Sequence, residues 1–237
     1  MEAVVWAGSG TAWAGVSWGT PVERRLRLLG WQVTTVPWGD AGTVHRGRPG
    51  VLHVFSGGME PVASGSAAMA DRLVAVEQAL ATARVDDCSV IGICLGAQMI
   101  AAVSAGFPPR PVTGGGESGL TLVRGHGRPD LVVPTAHVAE VPEEFLDVPG
   151  VRHLWSNGVT AVQGFALGDR VAGVQFHPEL AADEARRAVR SFRRSLPAPP
   201  VRAPGHRVDP ENAMQLLLHA AAAHRLVAAQ EEDLLAV

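Results

Sequence analysis

Short apolar runs alternate along this chain with stretches whose apolar positions recur at helical spacing. Ala3–Ala7, Trp31–Val36, Val51–Phe55 and Val90–Ile93 are apolar runs of strand length. Between the first two, Val22, Leu26 and Leu29 sit at helical spacing among arginines, after Pro21 at a helix-start position. Between the last two, Met69, Leu73, Val76 and Leu80 follow one another by four, three and four residues. This alternation predicts an α/β sheet with helices on its faces.

From Pro108 to about Gly168 the chain is rich in proline and glycine, with short alternating runs such as Leu120–Val123 and Leu131–Val133. These predict smaller, partly antiparallel strands and loops covering one end of the sheet. Ala161–Leu167 and Val171–Phe176 read as two more strands joined by Gly168-Asp169, a hairpin turn signal. A basic amphipathic helix over Asp183–Arg194 closes a first unit, residues 1–195. Residues 196–208 form a proline-rich linker, and 209–237 a helical extension whose Met214, Leu217, Leu218 and Leu226 share an apolar stripe. That stripe packs back on the core or docks on a partner.

Composition narrows the chemistry. The chain has 237 residues and a net charge of −3, which gives no electrostatic case for nucleic acid or an anionic membrane. All 20 cationic residues are arginine, so a Walker-type phosphate loop, a Schiff-base lysine and a pyridoxal phosphate anchor are excluded. The spacing of the two cysteines, Cys88 and Cys94, fits neither a disulfide framework nor a metal site. No cofactor or metal is expected. The N-terminus shows no secretory signal pattern and no apolar run reaches bilayer length, so a reduced, cytoplasmic protein is expected.

The most informative stretch is Val90-Ile-Gly-Ile-Cys94-Leu-Gly-Ala-Gln98. A strand stops at a cysteine set between two nearby glycines, and an alanine-rich helix starts at once. This is the pattern of a nucleophile elbow, in which a tight strand-to-helix turn presents one reactive side chain. A helix N-terminus also favours thiolate over thiol. Taken alone, Cys94 is equally a small buried apolar residue. A second stretch, Gly173-Val-Gln-Phe-His177-Pro-Glu179, runs a strand into a histidine and a carboxylate. Together they can serve as a base for the thiol and a group that orients the base. Taken alone, such a pair is usually a surface histidine and a solvated glutamate.

These two motifs, about eighty residues apart, with Phe55-Ser-Gly57-Gly58-Met59-Glu60 after the third strand, resemble a class I (triad-type) glutamine amidotransferase domain. Within the family, the stand-alone, GMP-synthase-like members are the most similar. The resemblance implies an open, mostly parallel sheet with helices on both faces. It implies Cys94 as the nucleophile toward the side-chain amide of glutamine, His177 as base and acid, and Glu179 as orienter. It further implies an oxyanion hole from the backbone N–H groups of Gly58 and Leu95, and contacts to substrate from Gln98, His137 and Gly57. The ammonia released would pass to a separately encoded synthetase, ligase or other acceptor.

The sequence departs from the family pattern in two informative places. Met59 stands where proline is usual, which predicts a less rigid oxyanion loop. In Thr135-Ala-His137-Val-Ala-Glu140, Val138 and Ala139 replace the glycine and aspartate of a His-Gly-Asp segment that helps bind the amino-acid end of glutamine. Glu117-Ser-Gly119 resembles a further family segment, expected to be structural. Two alternatives therefore stand beside a glutaminase: a hydrolase of γ-glutamyl conjugates or other amides, and a catalytically silent binding or regulatory partner. Of the remaining candidates, Cys88 follows two aspartates and reads as a poor nucleophile. Trp13 and Trp18, in a Gly/Ser/Thr-rich loop, read as pocket lining, a partner surface or simple packing.

Overall fold

A computed structural model of the chain describes residues 1–85, 87–195, 200–202 and 210–223. In chain order its elements begin with β1 (Glu2–Trp6), a small hairpin of β2 (Thr11–Trp13) and β3 (Val16–Ser17), α1 (Gly19–Leu28), β4 (Gln32–Val36) and β5 (Leu52–Phe55). Next come α2 (Ala67–Ala83), β6 (Ser89–Ile93), α3 (Leu95–Ala105) and β7 (Arg110–Pro111). They are followed by β8 (Glu117–Gly125), β9 (Leu131–His137), β10 (Ala139–Glu140), β11 (Val151–Ser156), β12 (Gly164–Leu167) and β13 (Val171–Val174). The described elements end with α4 (Ala182–Ser195), β14 (Pro200–Arg202) and α5 (Pro210–Ala220).

Ten of these strands make one sheet in the order β14-β8-β11-β12-β13-β6-β5-β1-β4, with β9 paired to β8. The block from β4 to β13 is parallel, and β12, β11, β8 and β9 continue it in antiparallel pairs. Strand alternation explains why the parallel runs are apolar throughout. In β1, Ala3 and Val5 face a core built with Val22 and Leu26 of α1, while Val4 and Trp6 face a core built with α2 and α3. Strands covered on both faces need apolar residues at every position.

Local signals fix the ends of the elements. Ser66 caps α2 by accepting the Met69 N–H at 3.1 Å, and Gly106 ends α3 in the left-handed region at φ 72°. Gly168, at φ 59°, makes the turn between antiparallel β12 and β13.

One expectation needs revision. The 108–168 stretch does not merely cover an end of the sheet; β8 and β11 are members of it, joined through Trp155–Gly125 and Ser156–Arg124. Their extent was hidden because buried polar residues, among them Glu117, Ser118, Thr135 and His137, occupy strand positions in β8 and β9. In the C-terminal segment, the structure takes the first of the two expected alternatives for the apolar stripe. Met214 and Leu217 of α5 are buried in the same core as α1, so this part of the apolar stripe packs within the chain. Residues 200–202 pair in parallel with β8. The rest of the expected linker, and Leu226, lie outside the described residues.

Candidate active site

Parallel strands β6 and β13 are neighbours, so their C-terminal ends lie side by side, and both chemically suggestive motifs begin there. Cys94 follows β6 directly. Its N–H donates to Val174 O at 2.7 Å, and its carbonyl accepts the Gln98 N–H at 3.2 Å as α3 begins. The residue has φ 51° and ψ −106°, a conformation that costs a side-chain-bearing residue roughly 1–3 kcal/mol.

Two glycines permit the turn. A Cβ on Gly96 would lie 2.0 Å from Phe55 O, and one on Gly92 would lie 2.6 Å from Ala97 N. The Cys94 residue is 6% exposed, and its thiol faces Ala136 O on β9 at 3.9 Å. The strained cysteine thus sits at a helix N-terminus, where the helix dipole favours negative charge.

Beyond β13 the chain reaches His177, whose N–H donates to Pro134 O at 2.8 Å and so ties it to β9. Its Nδ1–H donates to Glu179 Oε1 at 2.8 Å, and both side chains are almost wholly buried. This leaves Nε2 as the nitrogen available for proton transfer. No well-aligned hydrogen bond forms at Nε2 among the described residues, but the Cys94 sulfur lies close enough to favour a charged ring. Burial alone would lower the His177 pKa. The Glu179 carboxylate and Cys94 outweigh it and raise the pKa from 6.5 to about 10. The indole of Trp18 stacks on the imidazole, with ring centroids 4.8 Å apart.

The Ser56–Glu60 loop lies against the elbow from the other side. A Cβ on Gly58 would come within 2.7 Å of Leu95 Cδ2, and one on Gly57 within 2.9 Å of His177 Cε1. Both glycines are therefore required by close approach. Neither the Gly58 nor the Leu95 backbone N–H takes part in a hydrogen bond among the described residues.

The expected loss of rigidity at Met59 is offset by Ser9, which sequence reasoning did not single out. The Met59 N–H, which proline would lack, donates to Ser9 O and Oγ, each at 3.0 Å, and the Glu60 N–H donates to Ser9 Oγ at 2.6 Å. Glu60 in turn accepts from the hydroxyls of Ser64 and Ser66. Hydrogen bonds pin this loop where a pyrrolidine ring would otherwise stiffen it.

Gln98 and His137 meet at one carbonyl. Ala139 O accepts from Gln98 Nε2 at 2.9 Å and Gln175 Nε2 at 3.0 Å, and His137 Nδ1 lies 3.1 Å from it. His137 Nε2 donates to Glu117 Oε1 at 2.9 Å, and Glu117 also accepts from Asn157 and Gln163. Burial raises the Glu117 pKa, but these donors reverse the effect and hold it below the ordinary value. Both nitrogens of the His137 ring are thus engaged within the protein, and the ring anchors the 135–140 segment. Glu117, Asn157, Gln163 and Gln175 complete this network. Glu117, in the Glu-Ser-Gly segment, and Gln175, inside the Gly-Val-Gln-Phe-His run, carried a sequence signal; Asn157 and Gln163 carried none.

Cys88 is wholly buried, and burial pushes its thiol up to about 12, which suits an inert packing residue. Among the described residues no cluster of three or more His, Cys, Asp or Glu could hold a metal ion, and no helix is long and apolar enough to cross a membrane.

A strand-to-helix elbow with a cysteine, beside a buried His–carboxylate pair at the next strand end, is the arrangement that acyl-transfer enzymes use. The sequence profile described as "Glutamine amidotransferase class-I" matches residues 14–192, so the chain belongs to the class I glutamine amidotransferase family. No curated protein matches its sequence. Among solved structures it is similar to a glutamine amidotransferase from Thermotoga maritima, at 19% identity and TM-score 0.65, covering 95% of this chain and 98% of that one. A putative GMP synthase subunit from Thermoplasma acidophilum matches at 23% identity and TM-score 0.57, covering 81% and 92%. PurLQS from Thermotoga maritima matches at 14% identity and TM-score 0.55, covering 82% and 98%. These likenesses bear on the fold.

Proposed function

We propose that this chain is a glutaminase that releases ammonia for a separately encoded acceptor enzyme. The observation that carries the reading is the strained Cys94 at a helix N-terminus, coupled to a buried His177–Glu179 pair that favours an imidazolium. A thiolate at Cys94 attacks the side-chain carbonyl carbon of glutamine. The tetrahedral oxyanion lies against the N–H groups of Gly58 and Leu95, donors that contribute about 3 kcal/mol each in comparable sites.

His177 Nε2 gives its proton to the leaving nitrogen. The C–N bond breaks, ammonia departs, and a γ-glutamyl thioester remains. His177, now neutral, takes a proton from water; the resulting attack breaks the C–S bond and releases glutamate. Glu179 keeps Nδ1 protonated throughout, so that Nε2 carries the moving proton.

Gln98 donates to Ala139 O through its amide nitrogen, which leaves its Oε1 to accept from substrate. The His137 ring holds the segment that faces substrate. The similarity to PurLQS and to a GMP synthase subunit supports a partner that consumes the ammonia. Purified protein should release ammonia from glutamine, alone or with its partner, and a glutamine-like chloroketone should label Cys94. Intact glutamine and unlabelled Cys94 under both conditions would refute the proposal.

One observation favours a second substrate class. Met59 and Val138 pack with Ala136 and Phe192 in an apolar cluster, with Val138 at the family's glycine position, next in sequence to Ala139 at its aspartate position. An amide other than free glutamine, such as a γ-glutamyl conjugate, suits that surface. Turnover of γ-glutamyl amides well above that of glutamine selects this alternative. Co-purification with a partner whose activity is unchanged by Cys94→Ala selects a silent binding role instead.

A further inference from the structure

We infer that Trp18 is a positioning residue for His177, holding the imidazole in place and favouring its cationic form through the face of the indole. The inference rests on the glutaminase reading only in assigning His177 a proton-transfer role. The ring planes are inclined by 25° with centroids 4.8 Å apart, inside the distance at which an aromatic face stabilises a cation. The contact is confined from both sides. A Cβ placed on Gly57 would lie 2.9 Å from His177 Cε1 and 3.3 Å from Trp18 Cε3, so loop, imidazole and indole are stacked without slack.

Trp18 itself has little freedom. It is 2% exposed and packs with Ala12 of the small hairpin and with Leu180, Ala185 and Ala188 around α4. The next residue is fixed as well: Gly19 N–H donates to Ser17 Oγ at 3.0 Å, and a Cβ there would meet Ala7 Cβ at 2.9 Å. The β2–β3 hairpin and α4 thus clamp an indole over the imidazole.

Few charges compete with this contact. The ionisable groups acting on His177 are Glu179 and Cys94. From α1 and α4, Arg24 and Glu184 are paired with each other, and Arg24 also acts on Glu179. A stacked indole adds a stabilisation of the imidazolium that needs no further charge. It also blocks rotation of the ring away from Glu179.

The test is an NMR titration of the His177 ring in the full chain, assigned by difference against His177→Asn. Trp18→Leu keeps apolar bulk and removes the π face. Its His177 midpoint should fall by roughly one pH unit, and the upfield ring-current shift of the Cε1 proton should vanish. Trp18→Phe should recover at least half of the midpoint, and Trp18→Leu should lower kcat more than it raises KM. A folded Trp18→Leu protein with an unmoved midpoint overturns the inference. If Trp18→Leu does not fold, Trp18→Phe carries the test, with a fall of a few tenths of a unit expected and no fall overturning it. Chloroketone labelling of unsubstituted Cys94 is scored separately, so failure of the glutaminase reading is distinguishable from failure at Trp18.

Discussion

Replacing Glu179 with glutamine keeps the shape of the side chain and an oxygen able to accept the Nδ1–H of His177, but removes the charge. In the parent protein the contact is 2.8 Å, with side-chain exposures of 1% and 0%, so solvent screens it little. The carboxylate and Cys94 raise the His177 pKa from 6.5 to about 10 against the opposing effect of burial. At 1.36 kcal/mol per unit, that rise is equivalent to about 5 kcal/mol, an upper bound shared between the two partners. Breaking a buried pair costs roughly 3–5 kcal/mol. A loss near 3 kcal/mol is expected here because the amide retains one hydrogen bond.

The sign with pH follows from the direction of the shift. A histidine whose folded pKa lies above its unfolded one contributes stability that is fully present below about pH 6.5 and lost as pH rises through about 10. Urea unfolding of parent and Glu179→Gln should therefore differ most at pH 6 and converge toward pH 10. Without the carboxylate, the ring loses the largest influence that raises its pKa and the charged acceptor that orients it, and ammonia release should fall by about 10²–10⁴. A destabilisation equal at pH 6 and pH 10, or an activity within tenfold of the parent, would refute this reasoning.

Three further outcomes are expected. Cys94→Gly should lose ammonia release but be more stable than Cys94→Ala by about 1 kcal/mol in thermal unfolding, because glycine accepts φ 51° and ψ −106° without strain. Ser9→Ala removes the acceptor shared by the Met59 and Glu60 N–H groups. It should lower kcat more than it raises KM, at a stability cost of about 1–2 kcal/mol by calorimetry. Glu117, whose pKa is held below 4.5, contributes stability above that value that is lost as pH falls. Glu117→Gln should therefore be less stable by about 2–3 kcal/mol at neutral pH and show a flatter acid limb in a pH series of urea midpoints.

Most of the parallel sheet was legible in the sequence because its strands are covered on both faces. Burial there demands unbroken apolar runs, so Ala3–Ala7 and Val90–Ile93 announce β1 and β6 directly. Cys94 stood out as an elbow because only small residues fit at 92 and 96, a steric demand that leaves its mark locally. The true lengths of β8 and β9 were not legible. Glu117, Thr135 and His137 are polar yet buried, and the partners that permit it for Glu117, namely His137, Asn157 and Gln163, are 20 or more residues away.

The same distinction divides the site. The chain by itself marked the candidate reactive atoms: a sulfur at a turn only glycine neighbours allow, and an imidazole two residues from a carboxylate. Backbone stereochemistry and short-range spacing suffice for that. Tertiary structure alone decided that Ser9 stiffens the Met59 loop, that Glu117 anchors the 135–140 segment through His137, and that Trp18 lies over His177. Each of these joins residues between 20 and 159 positions apart, and at such separations only the packing of the folded chain chooses which groups meet.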